Sequence, residues 1–445
     1  MGFFDRSRLA LSLVLAEGPA SVGRRLVDHL DEWRRRRSFP EAAGQSLDVH
    51  APVLNVLSTL PAPRLGGVQV GLLRRLEDEV RRRPVALLYP FGSGYRLETE
   101  DRGRRAALAL AGPPPPATPA LRDEAFEAAI AQATKSVGAS TVHIENLAGL
   151  APGSVAALAH AGLRLILTIQ DFACFCPRPH LLEHPGLAFC DYCTDPDRCR
   201  RCLDHSWRLE AGFLAEYRRL ASEALRSARA VVYLSAFLRD RHASLVPGLD
   251  PARQHVIAPS SGAVAPSGAR RAPSGTLHAA FVGAVRPHKG ALVFEDVVRS
   301  ARSQGREDVR WSAYGGGDPE ILRRLRRLGV SVHGYYRAGS LPTLLRRDAV
   351  DVALLLSIWP ETYTLVVDEC LVAGVPVVAF DLGAPAERLR QGNGLLVPAG
   401  AGAAGVLRAV TSAGERREAL PSSPVPTAAR AAEAMQALYD ATMHH

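Results

Sequence analysis

Lysine is almost missing from this chain: of its 54 basic residues only Lys135 and Lys289 are lysines. The net charge of +9 over 445 residues is therefore carried by arginine. That charge is scattered, and no recognised binding module accompanies it, which sets nucleic acid aside as a partner. Long apolar runs are missing too. The longest near the start, residues 9–15, is too short to cross a bilayer, and no small-residue cleavage site follows it, so a cytoplasmic protein is expected. Met1-Gly-Phe-Phe-Asp-Arg6 lacks the Ser or Thr of a myristoylation signal. Cysteine is scarce outside one cluster: six of seven lie between Cys174 and Cys202, and Cys370 reads as a core residue.

What is present is an ordinary soluble composition, 47% apolar and 22% charged, on a chain long enough for two domains of about 200 residues. Short apolar runs alternate with amphipathic stretches, the pattern of doubly wound α/β sheets. One such unit is conspicuous. Residues 350–356 read as a buried parallel strand and residues 374–380 open the next, so residues 362–373 form a crossover helix. Glu361 lies just before it and Glu369 two turns into it, roughly 12 Å further on if the whole stretch is helical. Thr362, Thr364 and Leu365 sit at its N-terminus, where free backbone N–H groups and hydroxyls suit a phosphate. Two solvated helix glutamates would look the same. A ligand with sugar hydroxyls at both ends and a diphosphate between them fits the pair better once the neighbouring residues are added.

Those neighbours are Arg286 and Lys289, in a tight turn after the strand ending near Gly283, and the Gly315-Gly316-Gly317 turn after another strand. Arginine offers a diphosphate a bidentate fork and lysine a point charge. With Glu361, Glu369 and Gly374-Val-Pro-Val-Val, the ordered set from about residue 277 to 398 resembles the C-terminal half of the family 4 retaining glycosyltransferases. The resemblance implies the GT-B fold: two doubly wound Rossmann-like domains with an interdomain cleft that closes on the donor, a nucleoside diphosphate sugar. By the same resemblance Arg286 and Lys289 bind the donor diphosphate, Gly315 and Gly316 line its site, Glu361 contacts the donor sugar and Glu369 the ribose.

The N-terminal half reads as the acceptor domain. Its first strand, residues 53–57, leads to a turn with Gly66 and Gly67, where a backbone can approach phosphate closely; most strand-to-helix turns carry glycine for geometry alone. Strands follow at 85–89, 141–144 and 164–169, and residues 113–116 form a proline loop. Asp171 and His143, the latter on the second of these strands, are candidates to line the acceptor cleft; His143 reads also as a satisfied structural histidine. Thr168-Ile-Gln170-Asp171 stands where many family members have Thr, His and Asp. Gln170 replaces that histidine, which removes one expected contact to sugar and acceptor, although glutamine still donates a hydrogen bond.

The cysteine cluster follows directly. Cys190-x-x-Cys193 and Cys199-x-x-Cys202 have the spacing with which two thiolates grip one tetrahedral metal. A subset of bacterial surface-polysaccharide glycosyltransferases carries a similar segment, matched here by Cys176-Pro, Cys190, Cys199 and Cys202. Cys174 and Cys193 are additional ligands to weigh, and His180, His184 and His205 are nearby. Zinc holding a loop is the leading expectation and an iron–sulfur cluster the alternative.

The expected organisation is then a helical extension over 1–46, an acceptor domain over 47–265 with a Cys-rich insertion at 172–205, a linker at 266–275, a donor domain over 276–420, and a crossover helix over 421–445 that returns to the first domain. Trp33 and Arg34–Arg37 could place the extension on anionic lipid at the inner face of a membrane, or the helix packs on its domain. Two function classes remain: a hexosyltransferase-type enzyme building a surface glycan or decorating a lipid-linked acceptor, and a non-catalytic GT-B protein that binds nucleotide sugar or a partner, which Gln170 keeps open. A nucleotide-sugar epimerase is a third, weaker reading.

Overall fold

The computed structural model describes residues 17–42, 47, 49–62, 66–263, 275–390, 392, 394–415 and 425–443. The apolar run at 9–15, the start of the Gly66 turn and all of the expected linker except Gly275 lie outside them. The chain divides into two compact units, Met1–Glu32 with Ser260–Pro426 and Trp33–Pro259 with Thr427–His445.

Among the described residues, the unit containing residues 33–259 has ten strands. They are β1 Val53–Val56, β2 Val85–Phe91, β3 Gly94–Asp101, β4 Arg104–Leu110, β5 Thr141–Ile144, β6 Arg164–Ile169, β7 Leu182–Glu183, β8 Ala188–Phe189, β9 Ala230–Tyr233 and β10 Gln254–Val256. Eight form one sheet in the order β10-β9-β6-β5-β1-β2-β3-β4, parallel from β10 to β2 and antiparallel from β2 to β4. Strands β1, β5 and β9 are buried at every position, as parallel strands covered on both faces must be. The β3–β4 hairpin has no clean polar alternation to announce it. Arg96 and Glu98 are both buried on β3 and paired, and Glu98 also accepts from Tyr89 Oη at 2.7 Å. The small β7–β8 pair and helix Pro196–Asp204 carry the cysteine segment. Helix Ala428–Met443 packs in this unit, with Met435, Leu438 and Tyr439 against Val53, Ile166 and Val232.

The other unit has a six-stranded, wholly parallel sheet: β11 Leu277–Val282, β12 Val309–Tyr314, β13 Ser331–Gly334, β14 Val352–Leu355, β15 Val377–Phe380 and β16 Gly394–Val397. Its order is β13-β12-β11-β14-β15-β16. This is the Rossmann order, whose direction reverses between β11 and β14, and a ligand binds outside the strand C-termini at that reversal. Apolar clusters fill both faces; Cys370, from the helix Leu365–Ala373, belongs to one of them, as a core residue should.

The helix Pro19–Arg37 is continuous although the division falls within it. Its first part does not stand apart as an extension. Arg24 donates to the carbonyls of His333 and Tyr335, and Asp28 and Asp31 pair with Arg337.

Candidate functional site

At the reversal between β11 and β14, the turn after β11 brings Arg286 and Lys289 forward. Gly290, in the left-handed region at φ +81°, ends this turn against the Leu356 carbonyl, so closely that any Cβ there would collide. Ile358 N donates to the His288 carbonyl, which ties the turn to the chain leaving β14. The result is an ion pair between Lys289 Nζ and Glu361 Oε1 at 2.8 Å, joining residues 72 apart in sequence.

Glu361 is buried, and its three bonds leave acceptor capacity on the carboxylate. Thr364 Oγ1 donates to its Oε2 at 2.6 Å, and the Ser357 hydroxyl donates to Oε1. Burial by itself would push its carboxyl up, but Lys289 and the two hydroxyls outweigh that and hold it below the ordinary glutamate value. It is therefore an anion at neutral pH beside a cation. Arg286 is exposed and has no ion pair among the described residues, so its guanidinium is available to an incoming anion.

The crossover helix begins at Leu365, later than the sequence suggested, so Glu369 lies one turn into it rather than two. The cap residue Thr364 has φ +71°, a conformation costly for a β-branched side chain. In this conformation the Thr364 hydroxyl points back onto Glu361. Glu369 is buried and accepts from Gly339 N at 3.0 Å, in the loop after β13. Thr362 is buried, whereas Thr364 and Leu365 are half-exposed. Sequence reasoning missed Asp368, which is buried and paired with Arg388, and Arg388 itself, which lies over the Tyr363 ring at 4.3 Å. Their partnership braces the residues that follow Glu361.

The Gly315–Gly317 turn is joined to the Arg286 turn, with Val285 N donating to the Gly316 carbonyl and Asp318 N to the Val285 carbonyl. The sequence did not foresee what covers it. Gly317 N donates to Glu17 Oε1 at 3.1 Å, and Glu17 also takes Ser21 Oγ at 2.5 Å and Arg25 Nη2 at 2.7 Å. A Cβ on Gly316 would strike the Arg25 guanidinium. A carboxylate of this chain thus sits on the N–H that directly follows Gly315 and Gly316, the two glycines expected to line the donor site.

In the other unit the predicted residues are dispersed differently. Gly66 caps helix Gly67–Glu79, and Gly67 is its first residue. His143 is completely buried, with Nδ1 2.7 Å from Tyr439 Oη and Nε2 2.7 Å from Thr168 Oγ1. Both ring nitrogens are taken, and burial with the nearby Arg75 and Arg83 charges pushes its pKa well down. His143 is corrected here from a cleft residue to a neutral structural one. Around it stands a closed cluster: Arg75 pairs with Glu79 and Glu145 and donates to Tyr439 Oη. Burial pushes Glu145 up to about 7 against the pull of Arg75. Gln170 Nε2 donates to the Glu145 carbonyl at 2.6 Å, and Asp171 accepts from Ala173 N at 2.8 Å. Burial pushes Asp171 up to about 6.

Five thiols, Cys176, Cys190, Cys193, Cys199 and Cys202, line one cavity of about 20 Å³, room for a water or a single ion. Cys174 is buried off it. Backbone N–H groups point at sulfur, from Arg178 to Cys176 Sγ at 3.5 Å and from His184 to Cys202 Sγ at 3.3 Å, an arrangement that suits thiolates. Yet among the described residues no group of three or more His, Cys, Asp or Glu is placed to hold a metal ion. The donor type fits a metal, and the closed ligand set is not assembled; none of His180, His184 and His205 lines the cavity.

With two Rossmann-like units and these sheets, the chain has the GT-B fold. Its structure is similar to HepE of Anabaena, solved in complex with UDP and glucose (15% identity, 88% of this chain and 100% of that one, TM-score 0.53). It is similar also to sucrose-phosphate synthase of Thermosynechococcus elongatus (16%, 88% and 99%, TM-score 0.57). The catalytic domain of Starch Synthase IV of Arabidopsis thaliana, bound to ADP and acarbose, gives 13%, 89% and 100%, with a TM-score of 0.55. Residues 276–413, which hold Arg286, Lys289, Glu361 and Glu369, match the family model described as Glycosyl transferases group 1. No curated protein matches the chain.

Proposed function

We propose that this chain is a retaining, family 4 glycosyltransferase of the hexosyltransferase type, moving a sugar from a nucleoside diphosphate sugar to a glycan or lipid-linked acceptor in surface-polysaccharide synthesis. The observation that carries the reading is the Lys289–Glu361 pair at the β11/β14 reversal, inside the segment that matches the glycosyltransferase model. Similar structures solved with UDP and glucose, or with ADP, support a nucleoside diphosphate as the leaving group.

In this reading Arg286 and Lys289 neutralise the diphosphate, Glu369 holds the ribose, and Glu361, kept ionised by Lys289, hydrogen-bonds a donor-sugar hydroxyl. The bond from the anomeric carbon to the phosphate oxygen breaks as the acceptor oxygen bonds to that carbon on the same face. The acceptor proton passes to the departing phosphate. Preorganised charge at the leaving group lowers the barrier. A thermal-shift panel of nucleoside diphosphates and their sugars, followed by assay of donor hydrolysis without acceptor, tests this. Stabilisation by at least one nucleotide together with slow hydrolysis supports it, and the absence of both refutes it.

A second reading, a non-catalytic nucleotide-sugar or partner-binding protein, draws on Gln170, whose amide is committed to the Glu145 carbonyl rather than standing as an imidazole. Binding without hydrolysis favours it. A zinc ion held by Cys176, Cys190, Cys199 and Cys202, with Cys193 as the competing ligand, is proposed from the thiol chemistry alone, since these thiols share a cavity but are not drawn into a closed ligand set; bound zinc would cross-link the segment and leave no open position for chemistry. Elemental analysis together with thiol titration of the folded protein decides this: one zinc per chain with the thiols protected supports the site, and freely titrating thiols without metal remove it.

A further inference from the structure

The helix Pro19–Arg37 is amphipathic in an inverted sense. Its polar side faces the protein: Ser21 receives the Tyr335 N–H at 2.7 Å, Arg24 binds the carbonyls of His333 and Tyr335, Arg25 lies over the Tyr335 ring at 4.6 Å, and Asp28 pairs with Arg337 at 2.7 Å. Its apolar side faces out. Leu26 is 58% exposed, Val27 44%, Leu30 42% and Trp33 45%. At 3.6 residues per turn these four fall within about 120° of arc, one stripe opposite the bonded face. A surface helix normally shows the reverse arrangement. Scattered exposed apolar side chains need no explanation, but a stripe of four large ones on one helix marks a surface made to be covered.

The charges identify what covers it. The acidic residues of the helix are all engaged: Asp28 and Asp31 with Arg337, Glu32 buried beside His29, and Glu17, just before the helix, with Arg25. At the end of the stripe stand Arg34 and Arg37, both exposed, with Arg37 stacked over the Trp33 ring at 4.2 Å. Arg36 lies over Phe91, another exposed aromatic, at 5.7 Å. An apolar stripe without outward carboxylates, closed by arginines and an interfacial tryptophan, complements a bilayer with anionic headgroups: the aliphatic side chains enter the acyl boundary, Trp33 sits at headgroup depth and the guanidiniums meet lipid phosphate. We infer that this helix is a docking surface for an anionic lipid bilayer, which it meets lying flat. No helix among the described residues is long and apolar enough to cross a membrane, so the contact is peripheral. The inference rests on the helix alone and does not depend on the donor reading.

The test is co-sedimentation of the full chain with vesicles of phosphatidylcholine, with and without phosphatidylglycerol. The expected result is binding to the anionic vesicles with a blue shift of Trp33 emission that Trp33→Phe removes. The variant Leu26→Asn/Leu30→Asn/Trp33→Ala should lose about tenfold or more in vesicle affinity. Arg34→Gln and Arg37→Gln should each lose about fivefold. These are exposed positions, so the thermal transition and nucleoside diphosphate binding of all variants should match the parent. Three results overturn the inference: equal binding to neutral and anionic vesicles, stripe variants that sediment like the parent, or self-association of the parent in solution that the stripe variant abolishes, which would assign the stripe to a second copy of this chain.

Discussion

Each unit places carboxylates beside arginine or lysine near the C-terminal ends of its parallel strands, and the two places differ in one respect. Around Arg75 the cluster is closed: Glu79, Glu145, His143 and Tyr439 are all buried, with Glu79, Glu145 and Tyr439 bonded to Arg75 and His143 to Tyr439. Around Lys289 the cluster is open on one side, since Lys289 is partly exposed, Arg286 is exposed and unpaired among the described residues, and Thr364 and Leu365 are half-exposed. Closed clusters hold a fold together, and open ones have capacity left for a ligand. Burial and saturation, rather than residue type, separate the structural histidine from the candidate site.

The sharpest way to break this comparison is Arg75→Ala. It leaves the buried Glu145 without its arginine and Glu79 with Arg83 alone, and the expected loss is about 3–5 kcal/mol of stability, read by urea denaturation, with nucleoside diphosphate affinity of the folded fraction unchanged. A variant as stable as the parent would dissolve the distinction. Next in size, Glu369→Ala should weaken nucleotide binding by about tenfold, whereas Glu361→Ala should act mainly on turnover, because a ribose contact is made equally in ground and transition states and a sugar contact can strengthen as the glycosidic bond breaks. Equal loss of nucleotide affinity in both would undo the assignment of roles.

The smallest effect concerns pH. With Glu145 pushed up to about 7 from an ordinary 4.5, the folded chain holds a proton in this interval that the unfolded chain releases. Its contribution to stability is therefore full below about 4.5 and is lost as pH rises through 7. Melting temperatures across pH 4 to 8 should show a decline in this range that Glu145→Gln flattens; an identical slope in both proteins would show that Glu145 does not titrate there.

Much of this was legible beforehand. The strands at 141–144 and 164–169 coincide with β5 and β6, and the runs around 352–355 and 377–380 with β14 and β15, because buried parallel strands are continuous apolar runs. Lys289 and Glu361 were each singled out, by composition and by resemblance, but their pairing was not, because the contact is a product of topology that joins distant segments. The β3–β4 hairpin escaped because Arg96 and Glu98 read as solvent-facing and are buried as a pair. Helix Pro19–Arg37 had the right composition, but which face turns outward depends on carbonyls and charges more than three hundred residues away. The same distance hid Glu17: nothing near it in sequence points to the Gly317 N–H it occupies.

The central claim is that the open cluster at Lys289 receives a diphosphate, and isothermal titration of the parent and of Lys289→Ala with UDP, ADP and GDP tests it most directly. The account predicts that at least one nucleotide binds the parent and that Lys289→Ala loses about 1.5–3 kcal/mol, roughly tenfold to more than a hundredfold in affinity. Equal affinity in the two proteins would contradict it and move the donor site away from the β11/β14 reversal.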